Sequence, residues 1–429
     1  MAFYRSWIGE GGDLIRRYTS SLEDDVEIAE EVVKVMEAHV KHLAESGAVP
    51  KHVAEAVVKT LRELNPADLV KDGFEDIHEA LEKRLIEKLG EEVGGWVGLG
   101  RSRNDHVAAA IRLAALRKTG NLRRVAGRLR CVLAKRALEY ADCAMPSFTH
   151  FQPAQAITFG HYLLAVDELV AEFLHVLKAA EDLMARSPLG AGPAGGVQTP
   201  IDRRRLAQLA GFGDVVENAL YASGGRFFAL VLGSAVASFL AELSRAVDDF
   251  IRWNSPLIGY VEAPDEHVST SSIMPHKRNL VTLEVLRARI GEALSHLTAL
   301  HAVVVKVGVG YSLDLQEATR HLWAVLKIAA EGLEVFTDFM EKMRFNCGKA
   351  RQDAERHHAT SSDTAEALAL AGTPFRTAYF QVARQIKEGT AELLSVEQAL
   401  RRPTLGSANP EEVKKAVSAR LALCRPETF

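Results

Sequence analysis

Ser269-Thr270-Ser271-Ser272-Ile273-Met274-Pro275-His276-Lys277-Arg278-Asn279 is followed by an apolar run that carries Glu284 and has no glycine until Gly291. Small hydroxyl residues, a proline and three basic side chains make a poor core strand, so the stretch predicts an exposed, mobile loop feeding a helix. Asn279 is a suitable N-cap for that helix. Its positive end, together with Lys277 and Arg278, would concentrate positive charge suited to carboxylates. The first functional expectation is an anionic substrate.

Working outward, apolar residues recur at helical spacing over residues 21–46 and 50–64, with Pro50 and Pro66 as punctuation. Ser20 and Ser21, ahead of Leu22-Glu23-Asp24-Asp25, read as a helix start in which a serine hydroxyl caps free amides. Residues 75–85 give another helix, which runs into Gly94-Gly95-Trp96-Val97-Gly98-Leu99-Gly100-Arg101-Ser102-Arg103-Asn104-Asp105. Glycines ahead of a helix leave backbone amides free for an anion, and Arg101 and Arg103 offer forked donors. This is a second carboxylate-seeking segment.

Long helices are predicted over residues 106–144, 159–186, 226–253, 282–307 and 319–344. In the second of these, Leu163, Val166, Val170, Phe173, Leu177, Ala180 and Met184 alternate steps of three and four, the seam of a helix bundle. One chain does not easily cover such long apolar faces, and association between subunits is the economical solution. The first two long helices are separated by Met145-Pro146-Ser147-Phe148-Thr149-His150-Phe151-Gln152-Pro153-Ala154-Gln155, read as a proline-bracketed loop. Its histidine, between hydroxyl and amide groups, is suited to proton transfer near neutrality. The Gly-rich connection over residues 187–196 reads as structural, allowing close backbone approach.

At 429 residues the chain is long enough for two or three domains, and 48% hydrophobic with 25% charged residues is a soluble globular balance. A formal net charge of -4 gives no global attraction to nucleic acid or acidic membranes, so anion binding has to be local. Cys131, Cys143, Cys347 and Cys424 are scattered without a Cys-x-x-Cys pair, which points to neither a disulfide framework nor a zinc site and to a reducing compartment. Met1-Ala2-Phe3-Tyr4-Arg5-Ser6-Trp7 lacks an apolar signal core, and no run of about 18 uncharged apolar residues is present. The expected location is the cytoplasm. Past Asn346, shorter helices broken by Pro374 and Pro403 lead to a loose Arg425-Pro426-Glu427-Thr428-Phe429 tail.

The 269–279 stretch resembles the signature loop of the fumarase, aspartase and argininosuccinate lyase superfamily, Gly-Ser-Ser-x-Met-Pro-x-Lys-x-Asn, with Thr270 in place of the glycine and Leu280 in place of a following proline. Gly100-Arg101-Ser102-Arg103-Asn104-Asp105 is similar to the motif that marks argininosuccinate lyases, though Gly98-Leu99 stand where His-Thr is usual. Thr149-His150-x-Gln152 and Tyr311-Ser312-Leu313-Asp314-Leu315-Gln316-Glu317 resemble two further family segments. The lysine many relatives place three residues after that glutamine is Thr319 here, with Arg320 adjacent and able to supply charge. Residues 217–226 lack the Asn-Ser-x-Asp and Ser-Asp-Arg-Asp pieces frequent in the family.

The resemblance implies an all-α, three-domain lyase fold: residues 1–105, a long-helix bundle over 106–346, and a small C-terminal helical domain over 347–429. It implies a homotetramer with a core of about twenty helices and active sites built from three subunits. Helices of about 27 residues extend roughly 40 Å, so groups at opposite ends of one bundle would meet only between subunits. The implied reaction is elimination of argininosuccinate to arginine and fumarate. Ser271 would abstract the proton, and His150, paired with Glu284, would protonate the leaving nitrogen, although the opposite assignment of base and acid stays open. Ser21, Ser102, Arg103, Asn104, Thr149, Lys277, Asn279, Tyr311 and Gln316 would bind substrate, with no cofactor and no metal. The alternatives are an adenylosuccinate lyase, whose family often shows Met-Pro-His-Lys-Arg-Asn, a fumarase or aspartase, and a non-catalytic structural homologue like the delta-crystallins. The two arginine-lyase segments, and retention of His150, Ser271, Lys277, Asn279 and Glu284 together, argue against these.

Overall fold

The computed structural model describes residues 12–71 and 73–424; the heptapeptide Met1 to Trp7 and the tail from Arg425 lie outside the described residues. Helices make up 68% of the described residues, and the fold is all-α. Five long helices dominate, Arg103–Glu139, Phe159–Met184, Phe227–Trp253, Val281–Val304 and Asp314–Lys342. Four begin within three residues of where the periodicity puts them. The fifth begins five residues early, because Asp314 and Glu317 supply acidic side chains to its first turn and the amide of Leu315 already bonds the carbonyl of Ser312 at 3.0 Å.

The chain forms two compact units, and each of the five long helices passes from one to the other part-way along its length. The first unit comprises the chain up to Asn121, Val176–Ala237 and Ala293–Lys327. Its core joins Val35 and Ala38 to Ala109, Leu113, Leu189, Leu206 and Phe212, all buried. The second comprises Leu122–His175, Ser238–Glu292 and the chain from Ile328 onward. Here Phe159 stacks on Phe345 at 3.8 Å, and Tyr140, Phe250 and Trp253 meet Phe159 edge-on. A smaller alanine-rich cluster of Ala144, Ala156, Ala354, Ala359, Val396 and Leu400 packs the C-terminal helices of this unit. Fully buried Asp167 is held by Arg130 and Arg420, so its charge is compensated from two helices.

Phe227–Trp253 is long and apolar enough to cross a membrane by length and composition, but half of its most apolar window is buried inside the chain. A buried core helix has the same composition.

The cysteines depart from expectation. Cys131 bonds Cys424 and Cys143 bonds Cys347, leaving no free thiol among the described residues. Partners separated by 293 and 204 residues leave no local spacing for a sequence reading to detect. Both bonds lie in the second unit; one ties Cys424 to the first long helix, and the other ties Cys347 to the turn that follows that helix. Closing loops of this length removes much unfolded-chain entropy, on the order of 2–5 kcal/mol per bond. Reduction and alkylation should therefore lower the melting temperature of the purified protein by several degrees or more, and expose the region from Cys347 to proteolysis first. A melting curve unchanged by reductant would show that these bonds do not form.

Candidate functional site

In the first unit the segment Gly100 to Asp105 is shaped by its own side chains. Gly100 has φ +66, and a Cβ there would lie 2.7 Å from Thr199 Oγ1, so only glycine fits. The Ser102 hydroxyl accepts the amide of Asn104 at 3.2 Å, while Asp105 accepts the amide of Ser102 at 3.0 Å in return. This reciprocal cap starts the first long helix. The second carboxylate oxygen of Asp105 accepts the amide of Gly192 at 3.0 Å, which gives the Gly-rich 187–196 connection its structural purpose. Burial pushes the Asp105 carboxyl up to about 6, against the pull of these amides.

The arginines of this segment differ in their engagement. Arg101 is nearly buried, paired with Glu82 and donating to the Val97 carbonyl at 2.9 Å, which makes it structural. Arg103 is half-exposed and bonds Asp76, which also caps the helix Ile77–Leu89 through the amides of His78 and Glu79. Arg103 lines a cavity with Ser21, Asp25, Arg226, Tyr311 and Gln316, so four of the predicted binding residues come together in one unit. Ser102 and Asn104 line an adjoining open depression that Arg103 shares.

Ser21 does not cap amides as the sequence reading had it; Ser20 Oγ accepts the amide of Leu22, while Ser21 donates to Asp25 at 2.9 Å. Gln316 donates to the carbonyl of Thr19 at 3.1 Å. Thr319 lines the cavity, whereas Arg320 is taken up by Asp24 at 2.8 Å and Glu317 at 3.2 Å, so it does not stand in for the missing lysine. Sequence reasoning missed Asp25, His78 and Arg226 in this lining. The available signals were the Ser21-to-Asp25 spacing of one helical turn and an arginine set between Gly-Gly and Phe-Phe.

In the second unit the segment read as a loop is a β-hairpin, Ala144–Thr149 paired antiparallel with Gln152–Thr158. Thr149 pairs with Gln152, so His150 and Phe151 form a two-residue turn, with φ 53 and 59. Such turns favour asparagine and glycine, because left-handed backbone is unfavourable for other residues. Strain of this kind persists where the surroundings over-determine it and concentrates at functional positions. The turn presents Thr149, His150 and Phe151 to solvent, with Arg252 seated 4.8 Å from the Phe151 ring.

The signature loop is closed at its neck by Ser269 and Asn279, which exchange both backbone hydrogen bonds at 2.9 and 2.8 Å. Asn279 is therefore not the N-cap: the helix starts at Val281, and the Asn279 backbone belongs to this bridge. The loop root is anchored by Arg278 on Asp265 at 2.7 Å, and by His267 between Thr282 at 2.8 Å and Asp338 at 3.0 Å. Arg278 is thus structural, while Lys277 is exposed and has no carboxylate partner among the described residues. The Ser271 hydroxyl accepts the amides of Ile273 at 3.3 Å and Met274 at 3.1 Å. Glu284 is exposed in the first turn of the following helix, and within one chain it makes no hydrogen bond to His150.

Glu266, His267 and Asp338 bring three potential metal donors together. Lys342 bridges Glu266 and Asp338, so one ammonium already meets part of the cluster's negative charge.

Loop, hairpin and Gly-Arg-Ser-Arg-Asn-Asp segment on a long-helix framework define a lyase of the fumarase type, and a family model described as lyase matches residues 10–294. Among solved structures, an EDDS lyase variant with bound fumarate shares the fold at TM-score 0.83 and 24% identity, covering 93% of this chain and 86% of that one. A class II fumarase from Schistosoma mansoni does so at TM-score 0.73 and 14% identity, covering 94% and 91%. Argininosuccinate lyase of Pyrobaculum islandicum is 77% identical over 99% of both chains, and that of Sulfurisphaera tokodaii 38% identical over 98% of this chain and 92% of its own. The chain belongs to the argininosuccinate lyase family.

Asp25 supplies a pH test of the cavity. Its carboxyl is pushed up to about 7, chiefly by burial and further by Asp76, against hydrogen bonds from the Ile77 amide and Ser21. Because the folded value lies above the unfolded one of roughly 3.9, its contribution is fully present below about pH 4 and is lost as pH rises through 7. Asp25→Asn keeps the shape without the charge. It should flatten the fall in urea midpoint between pH 4 and 8 and raise stability at pH 8 by on the order of 1–3 kcal/mol. An unchanged pH profile would show that Asp25 ionises normally.

Proposed function

We infer that the chain catalyses the reversible cleavage of argininosuccinate to arginine and fumarate, a step of arginine biosynthesis, with no cofactor. The observation that carries this reading is the signature loop itself, in which the Ser271 hydroxyl already accepts two amide hydrogen bonds. The reaction must remove a proton from a weakly acidic carbon beside a carboxylate. Negative charge grows there, and donors that grip it more tightly than the substrate lower the barrier. Ser271 serves as the base, since the Ile273 and Met274 amides and the nearby Lys277 stabilise its alkoxide. Lys277 and Asn279 hold the developing dianion. His150 protonates the departing guanidino nitrogen, and Glu284 of a neighbouring subunit orients the ring and raises its basicity. Ser21, Ser102, Arg103, Asn104, Thr149, Tyr311 and Gln316 bind the substrate. Relatives bearing the argininosuccinate lyase name over the full chain favour this reading over a purine enzyme or a structural homologue.

The assembly proposed is a homotetramer, with three domains per chain divided at about residues 105 and 346 and each site completed by three subunits. Val176, Val285 and Leu294 leave 40–52% of their surface exposed on long helices, which suits further helix packing. The cytoplasm is the proposed location; two disulfides are uncommon there, though some intracellular proteins do carry them.

Incubation with argininosuccinate should release fumarate, read by its ultraviolet absorbance, and adenylosuccinate should not. Preference for the purine substrate would reverse the assignment. His150→Asn and Ser271→Ala should each fold normally yet lose turnover by at least about two orders of magnitude. Near-normal rates in both would remove the mechanism.

Shared sites make a separate prediction. Refolding a mixture of His150→Asn and Ser271→Ala chains should recover activity above either variant alone, because some sites then contain both intact residues. No recovery in verified mixed tetramers would place the two residues on one chain.

A further inference from the structure

Arg226 lies just ahead of the helix Phe227–Trp253, is 4% exposed and lines the cavity of the first unit. One of its nitrogens, Nη1, donates to the carbonyls of Ser223 and Gly225, both at 3.2 Å. The other two, Nε and Nη2, are buried with no hydrogen-bond partner. A buried guanidinium without a carboxylate is expensive, since its hydration is lost and nothing replaces it. Its neighbours in sequence, Gly225 and Phe227, are uncharged. Among the described residues the titratable side chain that raises its proton affinity is the neutral Tyr311 phenol, whose ring centre is 6.0 Å from the guanidinium carbon.

The second arginine of the cavity, Arg103, is already paired with Asp76. Among the described residues that line the cavity, Arg226 is therefore the positive group without a carboxylate, and its Nε and Nη2 have no acceptor there. Burial pushes its guanidinium down to about 10, which still leaves it charged at neutral pH. Gly224 fixes its surroundings: a Cβ there would sit 2.4 Å from the Val309 carbonyl, so only glycine lets the segment carrying Tyr311 approach.

We propose that Arg226 is a specificity-determining residue that binds the carboxylate at the amino-acid end of the substrate, the end released as arginine. This rests on the argininosuccinate reading. In that reading the two carboxylates beside the reacting carbon are taken by the signature loop and the Ser102-Arg103-Asn104 segment, so one remains. Arg226 shares its cavity with Ser21, Tyr311 and Gln316, and uncharged Thr319 lines it where many relatives carry a lysine. Arg226 supplies the charge that Thr319 does not. A planar fork matches a carboxylate with two parallel bonds, so lysine is only a partial substitute.

The test is calorimetric binding of arginine, of agmatine, which is arginine without its carboxylate, and of fumarate to the full-length protein. Wild type should bind arginine at least about tenfold more tightly than agmatine, the range of a charge-assisted hydrogen bond. Arg226→Gln should bring the two within about twofold while fumarate affinity is kept, and Arg226→Lys should restore part of the preference. In turnover, Arg226→Gln should raise KM more than it lowers kcat. Retained discrimination in Arg226→Gln, or loss of fumarate binding in its place, overturns the proposal. Should the glutamine variant not fold, equal binding of arginine and agmatine by wild type does the same. Release of fumarate from argininosuccinate by wild type, measured first, separates failure of this assignment from failure of the reaction assignment.

Discussion

A long helix satisfies its own backbone everywhere except in its first and last turns, and that constraint governs where the candidate residues sit. The candidate residues sit at helix ends or in the connections between helices. Ser102, Arg103 and Asn104 open the first long helix, and His150 is in the hairpin between the first and second. Arg226 immediately precedes the third, the signature loop and Glu284 lead into the fourth, and Tyr311 and Gln316 flank the start of the fifth. Free amides and the positive end of a helix dipole make such starts natural places to hold anions. The substrate inferred here carries three carboxylates, and helix starts are suited to each of them.

Acids near these starts serve two tasks at once. Asp76 caps the helix Ile77–Leu89 and anchors Arg103, Asp25 accepts the Ile77 amide and the Ser21 hydroxyl, and Asp105 closes the first long helix onto Gly192. Burial works against charge in this region. It lowers the proton affinity of His39, His78 and His106 and raises that of Asp25 and Asp105. Neutral His78 leaves Arg103 and Arg226 as the positive groups lining the cavity, which sharpens the difference between Arg103, which has a carboxylate, and Arg226, which has none.

Helix positions were legible because apolar residues recur every three or four positions over several turns, a signal that long elements carry strongly. The candidate site was legible only where residue types cluster locally, as in residues 100–105 and 269–279. The His150 hairpin was not, since a His-Phe turn in left-handed backbone has none of the glycine or asparagine chemistry that announces such turns. Asn279 looked like a cap because its side chain suits one; a backbone bridge to Ser269, set by loop closure, decided otherwise. The disulfides and Arg226 depend on contacts between distant segments, for which one sequence offers no pattern.

At three positions where this chain departs from the family pattern, the backbone or the packing tolerates the change. Thr270 is not among the residues with positive φ, so glycine is not required there, and its hydroxyl reaches the Pro275 carbonyl at 3.4 Å to close the loop from within. Leu280, in place of proline, is 3% exposed and fixes the helix start by packing. At Leu99 it is the backbone that matters: its carbonyl bonds His39 Nε2 at 2.8 Å, a contact available to any residue. Thr319 differs from these three, because an uncharged residue lining the cavity where many relatives carry a lysine removes charge that packing does not restore. An arginine left unpaired in the same cavity fits that loss, and the cost of burying Arg226 then has a reason in the ligand.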